Sequence, residues 1–134
     1  MTRIFTTQLR RLAIATMLCI TLWTGLQVAA NAEVPSQVTK LQSQVETLQE
    51  YVEGREWLEI RSFIHGPMGQ VRRQLFFISQ KLPKSMQASL EDEIEAVSAN
   101  LNVMDEAAEN YSEKRLVNAQ KELAQAVEAI AASF

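Results

Sequence analysis

Read for the spacing of its apolar residues, the chain beyond residue 33 shows helical periodicity throughout and no alternation with period two. Val38, Leu41, Val45, Leu48 and Val52 fall at steps of 3, 4, 3 and 4, an apolar stripe along one helix face. Gly54 interrupts it. A second segment opens near Arg55, with Trp57, Ile60, Phe63 and Ile64 on one face, and runs into His65-Gly66-Pro67-Met68-Gly69. Pro67 removes one helix hydrogen bond, and the flanking glycines permit a bend. Helical spacing resumes with Met68, Val71, Leu75, Phe76 and Ile78 and stops at Leu82-Pro83. The pattern predicts one long helix kinked at Gly66-Pro67, or two short ones joined there.

Ser85 is a plausible N-cap for the next helix. Met86, Leu90, Ile94, Val97, Leu101, Met104 and Ala108 follow at steps of 4, 4, 3, 4, 3 and 4. Asn110-Tyr111-Ser112-Glu113 reads as a break with a capping box between Asn110 and Glu113. The last helix carries Leu116, Ala119, Leu123, Ala126, Val127 and Ile130. Short connections make consecutive helices antiparallel, and four amphipathic segments can close one core. The expected fold class is therefore all-α, an up-down-up-down four-helix bundle over residues 33–134.

The first 32 residues read differently. Arg3, Arg10 and Arg11 form a basic region without a carboxylate, and an apolar stretch runs from Leu12 to Leu26. Ala30 and Ala32 then offer a signal-peptidase site before Glu33, so residues 1–32 are expected to be a removable signal peptide. The apolar run is about 15 residues, short of the ~20 that a spanning helix needs. Arg10-Arg11 suits either an ordinary export signal or a twin-arginine one. Cys19 follows Met17-Leu18 rather than small residues, which argues against a lipid anchor.

Cleavage before Glu33 would leave ten basic and sixteen acidic side chains, a net charge of −6 that argues against a general nucleic-acid binder. The single cysteine would leave with the signal, removing disulfide and thiol chemistry. Charge is uneven along the remainder. Residues 55–84 carry six basic and two acidic side chains, whereas residues 85–113 carry eight acidic and no basic ones. The second helical segment can thus pair with the third, though exposed pairs are each worth only ~0–1 kcal/mol.

Catalytic constellations are missing. A di-iron bundle needs Glu-x-x-His pairs, but Ser62 stands three residues before the lone His65. Gly66-Pro67-Met68-Gly69 lacks the Lys-Ser/Thr end of a phosphate loop, and no EF-hand spacing appears in the acidic stretch. No enzyme activity and no cofactor are expected. Trp57 is a helix-interface anchor or a docking aromatic. His65 steadies the bend or contacts a metal or partner. Arg72 and Arg73 form a solvated basic face or meet an acidic protein.

The run from Trp57 through Ile64-His65-Gly66-Pro67-Met68-Gly69 to Arg72-Arg73-Gln74-Leu75 resembles the PsbQ family, extrinsic lumenal subunits of photosystem II. It looks most like the cyanobacterial members. The resemblance implies a four-helix bundle in the thylakoid lumen, bound to the photosystem II core and the other extrinsic subunits. The role implied is to stabilise the oxygen-evolving complex and retain calcium and chloride. Trp57, Arg61, His65, Arg72 and Arg73 are the expected docking residues. Cyanobacterial members often carry a lipidated cysteine, and without one, peripheral membrane association here would rest on protein contacts. The alternative expectation is an exported helical module that binds a metal or small ligand.

Overall fold

The computed structural model describes residues 33–134. The expected signal peptide, with Arg10-Arg11, Cys19 and the Ala30/Ala32 site, lies outside the described residues. Those residues form five helices and no strand: α1 (Ser36–Glu53), α2 (Trp57–His65), α3 (Val71–Ser79), α4 (Lys84–Glu109) and α5 (Glu113–Ala132).

Each helix turns its apolar stripe inward. All five predicted residues of α1 are buried, as are Leu116, Ala119, Leu123, Ala126, Val127 and Ile130 of α5. From α4, Leu90, Ile94, Val97, Leu101, Met104 and Ala108 join them, with Ile60, Ile64, Met68, Val71, Leu75 and Ile78 from the second segment. Burying one such aliphatic side chain fully is worth ~1.5–3 kcal/mol, which is why the stripes outweigh weak helix ends. Among the described residues, every buried core side chain lies between Val38 and Ile130, within the unit Val34–Phe134.

The helices pack in a circuit. α1 lies against α5 on one side and α2 and α3 on the other, and α4 likewise lies against α5 and against α2 and α3. The pairings run antiparallel. Val52 at the end of α1 lies by Val117 near the start of α5, whereas Val45, two turns back, meets Gln120. Along α4, Asp105 sits by Arg61, Asn102 by Met68, and Glu91 by Phe76.

Where the sequence predicts one kinked helix or two short ones, the described chain has two helices parted by a turn, Gly66–Gln70. Pro67 has no N–H to give, and Met68 N donates instead to Phe63 O at 3.2 Å, one residue further back than α-helical spacing. Gly69 N then donates to Gly66 O, and Val71 N to Met68 O. Neither glycine has a positive φ. What each supplies is room: a Cβ on Gly66 would lie 2.9 Å from Ser62 O, and one on Gly69 would lie 2.8 Å from His65 O. The turn is fastened to α1 by Gln44, whose Nε2 donates to Pro67 O at 3.2 Å.

Two expectations about helix ends are corrected. The capping box at Asn110 and Glu113 does not form; Asn110 instead donates back to Glu106 O at 2.8 Å, and Ser112 is the residue before α5. Ser85 is not a cap either, because α4 starts at Lys84 directly after Pro83, whose fixed φ suits a helix entry. Two assignments to the core also change. Phe76 is 45% exposed and Met86 37% exposed, since each sits at the edge of its stripe.

The ends of α1 and α4 close in the same way. Glu56 N donates to Tyr51 O and Arg55 N to Val52 O, and Ser112 N donates to Ala107 O and Tyr111 N to Ala108 O. These are two Schellman closures, and both place a non-glycine residue in the left-handed region, Arg55 at φ 54° and Tyr111 at φ 53°. Gly54 precedes the left-handed residue and has φ −75°.

Candidate docking surface

Trp57, Arg61 and His65 stand four residues apart and so form one stripe of α2. That stripe faces the last two turns of α4. The Trp57 ring meets Tyr111 edge to face, with centroids 5.7 Å apart. Arg61 Nε donates to Asp105 Oδ1 at 3.1 Å, and its Nη2 lies 3.8 Å from Glu109 Oε1. His65 Nε2 is 3.0 Å from the same Asp105 oxygen. A carboxylate paired with arginine can only accept, so the histidine proton on this side belongs to Nε2. The hydrogen bond to Asp105, followed by the charges of Glu109 and Asp105, holds the Arg61 guanidinium more firmly protonated than usual.

A second set of contacts continues this seam at the same end of the molecule. Arg55 Nη2 donates to Glu113 Oε1 at 2.7 Å, and Arg115 grips Glu106 with two hydrogen bonds of 2.9 Å. The Arg115 fork, through hydrogen bond and charge, holds the Glu106 carboxyl below its usual range.

Arg72 and Arg73 lie past the turn, on α3, and belong to a different surface. Arg72 lines a polar cleft of about 390 Å³ with His65, Met68, Ser98, Asn102 and Asp105. Both arginines also line a larger cleft of about 630 Å³, whose other wall is Glu91, Ile94 and Glu95 of α4. Neither arginine enters an ion pair among the described residues.

The five expected docking residues therefore split into three held against α4 and two facing outward. Sequence reasoning missed Asp105, Glu109 and Tyr111 as partners of the α2 stripe. The signal was present: Asp105 and Glu109 are four residues apart, the same step as Arg61 and His65. Phe77, 60% exposed beside Arg73, was also missed, and its ring packs edge-on against Phe76 at 6.2 Å. Among the described residues there is no group of three or more His, Cys, Asp or Glu side chains that could hold a metal ion. No helix among them is long and apolar enough to cross a membrane.

Compared with known proteins, the chain matches the family model PsbQ, oxygen evolving enhancer protein 3, over residues 7–133. No curated protein sequence matches it.

Proposed function

The chain belongs to the PsbQ family, and on that premise we propose that it is a non-catalytic extrinsic subunit of photosystem II, acting as an oxygen-evolving enhancer. The observation that carries this reading is the extent of the family match, which takes in nearly the whole chain. The protein is exported by the segment 1–32, processed before Glu33, and resides in the thylakoid lumen. There it binds the lumenal face of the photosystem II core beside the other extrinsic subunits, held by protein contacts.

In this reading α2 and α3 act as one bent arm of an up-down-up-down four-helix bundle, whose other arms are α1, α4 and α5. The bundle contributes shape and a fixed surface rather than chemistry. Seated on the complex, it excludes water and slows the escape of calcium and chloride from the oxygen-evolving centre. Docking runs through the region from Trp57 to Arg73, including Arg61, His65 and Arg72. The antiparallel circuit of helices and the ion-paired seam between α2 and α4 support a surface that stays rigid on binding.

The test is affinity isolation of the tagged chain from solubilised thylakoid membranes of the source organism. Recovery of photosystem II core subunits, released by high salt, is expected. A folded, helical chain that recovers no photosystem subunit would contradict the reading.

A further inference from the structure

We propose that the outward row of α3, made of Arg73, Phe76 and Phe77 with Arg72 at its flank, is the docking surface proper. Its occupant is a partner-protein segment that presents carboxylates beside apolar side chains. This rests on the reading that the chain docks on photosystem II, and it moves the contact from the α2 stripe to α3.

Four observations lead there. Val71, Leu75 and Ile78 take the buried side of α3, which leaves Arg73, Phe76, Phe77 and Gln80, at steps of 3, 1 and 3, as its outermost row. Phe76 and Phe77 are adjacent, 45% and 60% exposed, whereas the exposed Leu58, Met86 and Val117 lie on other helices and Tyr111 packs on Trp57. Exposed aromatics side by side with arginine are the side chains that concentrate binding energy at protein interfaces. No acidic residue occurs between Glu59 and Glu91, so the α3 face has no carboxylate of its own. Trp57, Arg61 and His65, by contrast, already have partners in Tyr111, Asp105 and Glu109.

The cleft beside the row decides the kind of partner. Arg72 and Arg73 form one wall and Glu91 and Glu95 the other, without an ion pair between them. An anionic bilayer would meet those glutamates, and the acidic surplus of residues 85–113 behind them, as readily as it met the arginines. A protein segment can set its carboxylates against the arginine wall alone and lay apolar side chains on Phe76 and Phe77.

The test compares tagged full-length chains in the source organism, isolated from solubilised thylakoids over a salt series: wild type, Phe76→Ala/Phe77→Ala, Arg72→Ala/Arg73→Ala, and Val117→Ala as an exposed apolar control outside the docking region. The phenylalanine pair variant is expected to lower recovery of photosystem II subunits by about tenfold or more at every salt concentration. The arginine pair variant is expected to lower it most at low salt, the difference from wild type shrinking as salt rises. Val117→Ala is expected to match wild type, and circular dichroism of each variant to keep its helical signal. Wild-type recovery with the phenylalanine variant within about twofold of it would overturn the inference while leaving the functional reading intact. No recovery even by the wild type would overturn both. Binding to protein-free anionic vesicles that is lost in the same two variants would assign the row to a bilayer and overturn the protein partner.

Discussion

Tyr111 holds a left-handed backbone, φ 53°, while its ring meets Trp57 edge to face at 5.7 Å. The closure of α4 and the start of α2 are thereby tied together. Left-handed backbone costs a residue other than glycine ~1–2 kcal/mol, and an aromatic pair returns ~0.5–1.5 kcal/mol. Tyr111→Gly, which removes both, should therefore leave stability nearly unchanged. Trp57→Ala also strips packing from the core edge and should cost about 2–3 kcal/mol. Urea unfolding of the two variants checks this, and an equal loss in both would contradict it.

The turn between α2 and α3 depends on two glycines for a steric reason. A methyl group on Gly69 would sit 2.8 Å from His65 O, and one on Gly66 would sit 2.9 Å from Ser62 O, both backbone atoms that cannot swing away. Gly66→Ala and Gly69→Ala should each cost about 1–3 kcal/mol. Thermal unfolding would show the loss, and a neutral Gly69→Ala would mean the turn can open without penalty.

Gln120 is 6% exposed; its Nε2 donates to Val45 O at 3.2 Å, but its Oε1 has no partner. An unmet buried acceptor costs more than one neutral hydrogen bond returns, and Val45 O already lies within the α1 ladder. Gln120→Leu should raise stability by about 1 kcal/mol in denaturant unfolding. A clear fall would show that this amide is needed to set the fit of α1 on α5.

Glu106 titrates below its usual range because Arg115 holds it with two hydrogen bonds and opposite charge. A depressed carboxylate stabilises the fold above its unfolded value and loses that contribution as pH falls through its folded value. The stability difference between wild type and Glu106→Gln should thus be full at neutral pH and vanish in acid. Melting temperatures taken from neutral pH down to about 3 would show the two curves converging. A difference that stayed constant with pH would remove the Glu106–Arg115 pair as its source.

The stripes of α1 and α5 could be read residue by residue because a step of three or four admits one buried face, and every residue so placed is buried. The edges of stripes were harder. Phe76 and Met86 fit the spacing, yet whether an edge position is covered depends on how far the neighbouring helix reaches. Helix ends misled for a different reason. Asn110 and Glu113 have the spacing of a capping box, but Asn110 turns back to Glu106 O, and Tyr111 and Arg55 take the left-handed positions, where their side chains reach Trp57 and Glu113. The residues expected to dock lie close together in sequence, whereas their division between two surfaces was not legible there. Only the placement of Asp105 and Glu109 against α2 separates the paired Arg61 and His65 from Arg72 and Arg73, which make no ion pair among the described residues.

The central claim, that this chain supports oxygen evolution from the lumenal side, is tested most directly by oxygen release from photosystem II particles of cells lacking it. The measurement is made at limiting calcium and chloride, before and after adding the purified chain. Added chain is expected to bind and to restore the rate, with little effect when both ions are plentiful. An unchanged rate at limiting ions, with the chain bound to the particles, would contradict the account.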